Sequence, residues 1–266
     1  YGGRPTLTVL VPCSLVHRTN TNVINALFDQ SGNFSIASGT VQISDYGTKN
    51  AGQFDVAAGA TLTFTGAVTH NLLAKSVMTV AGTLKVWNGT VAVQSGAVLD
   101  ISGTTLISGN LLDLQAGSIL TNIGHYFNIT SGTADFHDAN IDATVLDIAG
   151  TLRTTQNLTA STGFYLRDTG LQISGTVNVN CPGYVLGGTH SVSGQFLANE
   201  DFTLSAGTLT GTAPLITSKR FYWLGGVLYN LVSGVQCLNG LTIDSAATKQ
   251  ITLTTLNNFA VRSLLL

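Results

Sequence analysis

Charge is what this 266-residue chain has least of: Asp, Glu, Lys and Arg together make up 9%, against about 25% in an ordinary soluble domain. Glutamate occurs once, at Glu200, so acid–base chemistry that relies on paired carboxylates is poorly supplied. Eleven Lys and Arg stand against thirteen Asp and Glu, for a net charge of -2. No basic stripe exists to neutralise phosphates, which excludes nucleic acid as a partner. Proline occurs four times and methionine once. No apolar run reaches the length of about 18 residues needed for a helix to cross a bilayer. The three cysteines, Cys13, Cys181 and Cys237, are far apart, with neither metal-ligand nor Cys-x-x-Cys spacing. They read as buried, inert thiols, with one disulfide and a leftover thiol as the alternative.

What fills the gap is Gly, which occurs 30 times, together with an abundance of Thr and Ser. The hydrophobic fraction is 44% and the mean hydropathy +0.32, enough apolar surface to offset the entropy of ordering the chain. The polar surface is therefore neutral and hydroxyl-rich, a composition that suits an extracellular or cell-surface location.

Glycine also keeps time. Gly52, Gly59 and Gly66 lie seven apart, as do Gly82, Gly89, Gly96 and Gly103, and then Gly117 and Gly124. Between them run short β-type segments, GTLKVWN, GTVAVQS and GAVLDIS. A turn residue plus four to six strand residues cannot bury a face alone, so such units require stacking on one another. In Gly-Thr units the apolar residues stand two and four after the glycine, as in Leu84 and Val86 or Val91 and Val93. In Gly-Ala units they stand one, three and five after it, as in Ala97, Leu99 and Ile101. Both patterns have period two, placing alternate side chains inward and leaving Lys85, Gln94 and Asp100 outside. Three units per coil predict an all-β, right-handed parallel β-helix of about 12 coils of roughly 21 residues each.

The beat loosens after about residue 130, which reads as longer turns within the same array. Residues 1–30 lack the Gly-Thr and Gly-Ala openings and read as an irregular N-terminal lead-in, cap or donor segment before a solenoid over 31–266. Leu7 to Val16 reads as a first strand or end cap rather than a secretory core.

The units GATLTF, GTLKV, GTVAV and GAVLDIS, with the later FYWLGGVLYN, resemble the repeats of extracellular β-helical surface proteins, the large adhesins and autotransporter-like passengers. The resemblance covers roughly residues 30–266 and is architectural. It implies a structural or adhesive exterior protein and names no ligand.

The alternative is a polysaccharide-active β-helix enzyme. Its acids and bases would have to come from Asp135, His137, Asp138, Asp142 and Asp147, with Asp135 and His137 on one strand face. Solvated outer positions and Asx turns explain the same residues, and no catalytic, cofactor or metal set is assigned. A carbohydrate-binding module is a third reading, resting on solvent-facing rings among Tyr222, Trp223 and Tyr229 near Phe221. Thr-x-Thr pairs such as Thr61/Thr63 suggest an ice-binding plane, but they recur too rarely to occupy every coil. Asn33, Asn88, Asn128 and Asn157 head glycosylation sequons, and Asn88 falls at a turn before Gly89.

The closing stretch ITLTTLNNFAVRSLLL carries no capping helix and no charge beyond Arg262. A last coil left open would pair with further repeats or with another copy, Leu7 to Val11 being the complement. Such head-to-tail contacts do not close, and they generate a filament.

Overall fold

The computed structural model describes residues 5–10, 14–44, 47–168, 170–231, 234–243, 249–252, 259–261 and 264–265. The chain is an all-β parallel β-solenoid of about eleven turns, and it divides into two compact units, Tyr1–Ala139 and Asn140–Leu266. The strands pair in parallel, as successive coils lie one on the next. Three strand columns build each unit.

In the first unit one column is a six-stranded sheet of Ser14–His17, Asn33–Ile36, Gln53–Val56, Val77–Val80, Val98–Ile101 and Ile119–Ile123. A second runs through Thr21–Ile24, Thr40–Ile43, Thr61–Thr65 and Thr83–Trp87 to the start of Thr104–Leu114. The third runs through Thr6–Val9, Leu27–Gln30, Thr48–Asn50, Thr69–Leu72 and Thr90–Val93 to the end of the same long strand. Thr83 pairs with Thr104 and Val77 with Val98, so one coil here takes three of the seven-residue units that the glycines mark. Residues 1–30, expected as an irregular lead-in, supply four of these strands. Their period-two alternation is enough for the ladder without a Gly-Thr opening, since Thr6↔Leu27 and Thr21↔Thr40 hold register. Val11, at the end of the expected donor strand, and most of the closing stretch, Arg262 included, lie outside the described residues.

Alternation decides the core. Leu84, Val86, Val91, Val93, Leu99 and Ile101 are all fully buried, while Lys85, Gln94 and Asp100 lie outward and half-buried between neighbouring coils. A slip of one residue would invert every one of them. Phenylalanines stack inside from coil to coil: Phe34 meets Phe28 and Phe54 edge-on at 5.1 and 5.4 Å between centroids, and Phe54 meets Phe64 at 6.2 Å. Gly103 shows why the corner is glycine. A Cβ there would sit 1.9 Å from the carbonyl oxygen of Gly82, one coil away.

The second unit keeps the three columns but shortens the coil. Leu158 pairs with Val177, Val177 with Phe196 and Phe196 with Leu215, the same interval each time and two residues less than from Thr83 to Thr104 in the first unit. Most of its strands are three residues long with the middle side chain outward, as in Val177–Val179, Phe202–Leu204 and Phe221–Trp223. The strands shorten and the turns do not: 180–182, 186–188 and 193–195 separate successive strands here, where 81–82, 88–89 and 94–97 do so in the first unit. Gly188, Gly207 and Gly226 mark one corner at that same interval with φ of 77°, 82° and 80°, a conformation that favours glycine.

Polar side chains bind the corners across coils. Asn157 donates its backbone N–H to Asn140 Oδ1 at 3.2 Å and accepts the N–H of Thr176 on its own Oδ1 at 2.8 Å. Asn199 Nδ2 donates to Asn180 Oδ1 at 2.7 Å, and Ser218 Oγ donates to Asn199 Oδ1 at 3.3 Å. Short polar residues recur at these turns because each satisfies a backbone or amide group of the next coil.

Candidate functional site

Register turns the shorter period of the second unit into outward columns of side chains. On one side Asp147 pairs with Tyr165, Tyr165 with Tyr184, Tyr184 with Thr203, Thr203 with Tyr222 and Tyr222 with Thr242. Each of these positions lies between two inward neighbours and points out, so the six residues form one line across the coils. Tyr165 and Tyr184 stack at 5.5 Å between centroids with planes 4° apart. Arg167 holds Asp147 through two hydrogen bonds, Nε to Oδ1 at 2.6 Å and Nη2 to Oδ2 at 3.0 Å, and its guanidinium lies 5.7 Å from the Tyr165 ring. Farther along the line the Arg220 guanidinium lies 5.9 Å from the Tyr222 ring.

Two further columns flank the line. The corner residues Leu186, Ser205 and Leu224 follow one another up the ladder, each donating its N–H to the coil before it. Leu186 and Leu224 are exposed. On the opposite flank Asp201 accepts the backbone N–H of Arg220 on Oδ1 at 3.1 Å. The result is an aromatic strip with an ion pair, Asp147 with Arg167, at one end, and with the Arg220 guanidinium against Tyr222 and the Asp201 carboxylate on the flank farther along.

The aromatic residues singled out from sequence fall in three places. Tyr222 lies on the strip. Trp223 turns into the core, 2% exposed, where it stacks on Phe221 and its indole N–H reaches Gly226 O at 3.4 Å. Alternation next to the outward Tyr222 forces that orientation. Tyr229 is exposed but sits on another column, paired with Thr210. Tyr165, Tyr184 and Thr203 were missed, although their equal spacing, which Tyr222 continues, was the signal that would have found them.

The acidic stretch is divided as well. In the first unit His137 Nε2 is 3.0 Å from Asp113 Oδ1 and 3.8 Å from Asp135 Oδ1. His137 does not continue the strand: Tyr126–Asp135 ends first, Asp135 Oδ1 accepts the His137 N–H at 3.2 Å, and φ at His137 is 46°. Such a pair can pass a proton, but its imidazole is 46% exposed on an open corner without walls to exclude water. Asp138 and Asp142 are exposed, and Asp147 is taken up by Arg167. Among the described residues no group of three or more His, Cys, Asp or Glu is placed to hold a metal ion.

Thr21, Thr40, Thr61, Thr83 and Thr104 form an outward column of five on the first unit. The parallel column two residues on reads Val23, Gln42, Thr63, Lys85 and Leu106. The double row of an ice-binding plane is therefore not formed there. Lys85 Nζ instead lies 4.2 Å from the centroid of the Trp87 ring, which is half exposed.

Of the sequon residues, Asn33 and Asn88 are exposed, Asn88 at a corner with φ of 59°. Asn128 is half-buried and donates Nδ2 to the Tyr126 hydroxyl at 2.9 Å, whereas Asn157 is exposed and part of the corner ladder. Cys181 and Cys237 are free and buried. Burial raises both thiols, Cys181 to about 11, so neither is a thiolate near neutral pH. Cys13 lies outside the described residues.

No family model, curated protein or solved structure matches the chain.

Proposed function

We propose that this protein is an extracellular structural or adhesive surface element, a stiff ladder that presents a neutral, hydroxyl-rich exterior and associates end to end with further copies. The observation that carries this reading is the outward face itself. The second column of the first unit opens every coil from Thr21 to Thr104 with a threonine, and the described ion pairs are local, as between Arg167 and Asp147 or Lys219 and Glu200. A surface of hydroxyls hydrates well without attracting counterions or other polyelectrolytes. Parallel backbone ladders running from coil to coil resist shear, which suits load bearing and display. Glycans would project freely from Asn88, which stands at an exposed corner.

The test is location. Antibodies raised against the folded chain should label intact, unpermeabilised source cells or their surrounding matrix. Labelling that appears only after permeabilisation would overturn the reading.

A further inference from the structure

We propose that the gap at Thr203 in the tyrosine line of the second unit is a binding site for one pyranose residue of a neutral glycan. The line runs Tyr165, Tyr184, Thr203, Tyr222. Tyr165 covers one face of Tyr184 by stacking on it from the preceding coil. The next coil toward Tyr222 offers no ring, only a threonine. Coils in a parallel ladder lie about 4.8 Å apart, so Tyr184 and Tyr222 spring from strands about 10 Å apart along the same line. A ring held between two others needs about 8 Å, two van der Waals contacts at close approach. A sugar chair, thicker than an aromatic ring, fits that interval.

The floor and flanks suit the same occupant. Thr203 offers a hydroxyl from the base of the gap. At the two ends of its strand stand Asp201 and Ser205, a carboxylate and a second hydroxyl able to accept and donate hydrogen bonds to sugar hydroxyls. Leu186 and Leu224, exposed one coil to either side of Ser205, extend the apolar walls. Sites for small polar ligands combine apolar and aromatic walls with a few convergent polar groups. Aromatic rings with a wet edge suit the mixed apolar and hydroxyl faces of a sugar.

Charge selects a neutral glycan over an acidic one. Asp201 brings a carboxylate to the edge of the gap, while Arg220 lies against Tyr222 and donates its backbone N–H to that same carboxylate. The neighbouring Lys219 is 3.5 Å from Glu200. The Lys219 charge is thus offset by Glu200, and the Asp201 carboxylate at the edge of the gap repels a uronate or sulfate. The far end of the tyrosine stack is closed off by the Arg167–Asp147 pair, which places the opening at Thr203.

The experiment titrates the intact chain with cellohexaose and laminarihexaose, neutral glucose oligomers, and with hexagalacturonate, following tyrosine fluorescence and calorimetric heat. At least one neutral hexamer should bind saturably at millimolar concentration or below, and hexagalacturonate should bind more weakly. Tyr184→Ala and Tyr222→Ala should each weaken binding about tenfold, the scale of one lost ring contact. Thr203→Tyr should abolish binding by completing the stack, with circular dichroism and melting unchanged or improved. Three results would overturn the site: neither neutral hexamer saturates, hexagalacturonate binds as well or better, or Thr203→Tyr binds like the unaltered chain. The readout is ligand binding alone, so it stands or falls apart from location and end-to-end association.

Discussion

Two histidines are built into the fold as neutral groups. His190 is fully buried: Nδ1 accepts the N–H of Leu171 at 3.3 Å, so the proton sits on Nε2 and is donated to Gly187 O at 2.6 Å. His70 is also fully buried, packs against Phe64 at 4.8 Å and donates Nε2–H to Thr65 O at 2.9 Å, with no partner at Nδ1. Burial lowers both below the ordinary value of 6.5, the backbone hydrogen bond opposing it in each case. Below about pH 6.5 the unfolded chain therefore takes up protons that the native state refuses, and stability falls as pH falls. Above that value the contribution is complete. Each histidine should cost at most about 1.4 kcal/mol per pH unit on the acid side. Denaturant midpoints measured from neutral pH down to about pH 5 should fall steadily in the unaltered chain. His70→Gln and His190→Gln, although less stable at neutral pH, should each show a shallower fall. A midpoint that does not move over this range would refute the assignment.

At the scale of the element, the corner glycine is the sharpest lever. Gly103→Ala places a methyl 1.9 Å from Gly82 O and 2.5 Å from Ala81 O, backbone atoms of the preceding coil that cannot rotate away. The coils must part or the corner must shift, at a cost of about 1–3 kcal/mol as in other overpacked sites. Gly59→Ala is the comparison: it meets nothing within 4 Å and carries only the strain of a φ of 79°. Urea denaturation should find Gly103→Ala the less stable of the two, and equal midpoints would refute the close-approach argument. The same glycines explain what the sequence made legible. Where each side of a coil takes seven residues, as from Gly82 to Gly89, Gly96 and Gly103, the beat shows directly and the inward set of Leu84 to Ile101 follows by alternation. In the second unit the coil is two residues shorter, a length that three equal sides cannot share, and no single beat survives. The period persists one coil apart instead, from Gly175 to Gly194 and from Gly188 to Gly207 and Gly226. The tyrosine strip went unseen for the same reason: Tyr165, Tyr184 and Tyr222 are remote in sequence and become neighbours only through that register. Trp223 and Tyr229, read as local companions of Tyr222, were separated by the alternation and the corner between them.

At the scale of the whole molecule, the first coil of the first unit differs from those that follow it. Leu7 and Leu15 pair with the inward, buried Phe28 and Phe34 of the next coil yet are themselves exposed, and Leu10, Val16 and Val23 add further exposed aliphatic surface to the same first coil, Leu10 and Val23 being exposed by more than half. A cavity of about 220 Å³ opens among Leu7, Leu15, Val16, Ile24, Phe34 and Val41, with His17 and Asn22 at its polar edge. Among the described residues the strands Thr6–Val9, Ser14–His17 and Thr21–Ile24 each pair on one side only. Unpaired donors and acceptors beside exposed aliphatic side chains invite strand addition. An interface that joins one end of a solenoid to a different surface is heterologous, so it propagates rather than closes. The chain should accordingly associate with rising concentration, and negative-stain images should show strings of indefinite length. Leu15→Glu and Val16→Glu place charges on that apolar surface and should shift the population to monomer while leaving the β-rich circular dichroism spectrum unchanged. A protein that stays monomeric at all concentrations, or strings that persist in both variants, would rule out association through this coil.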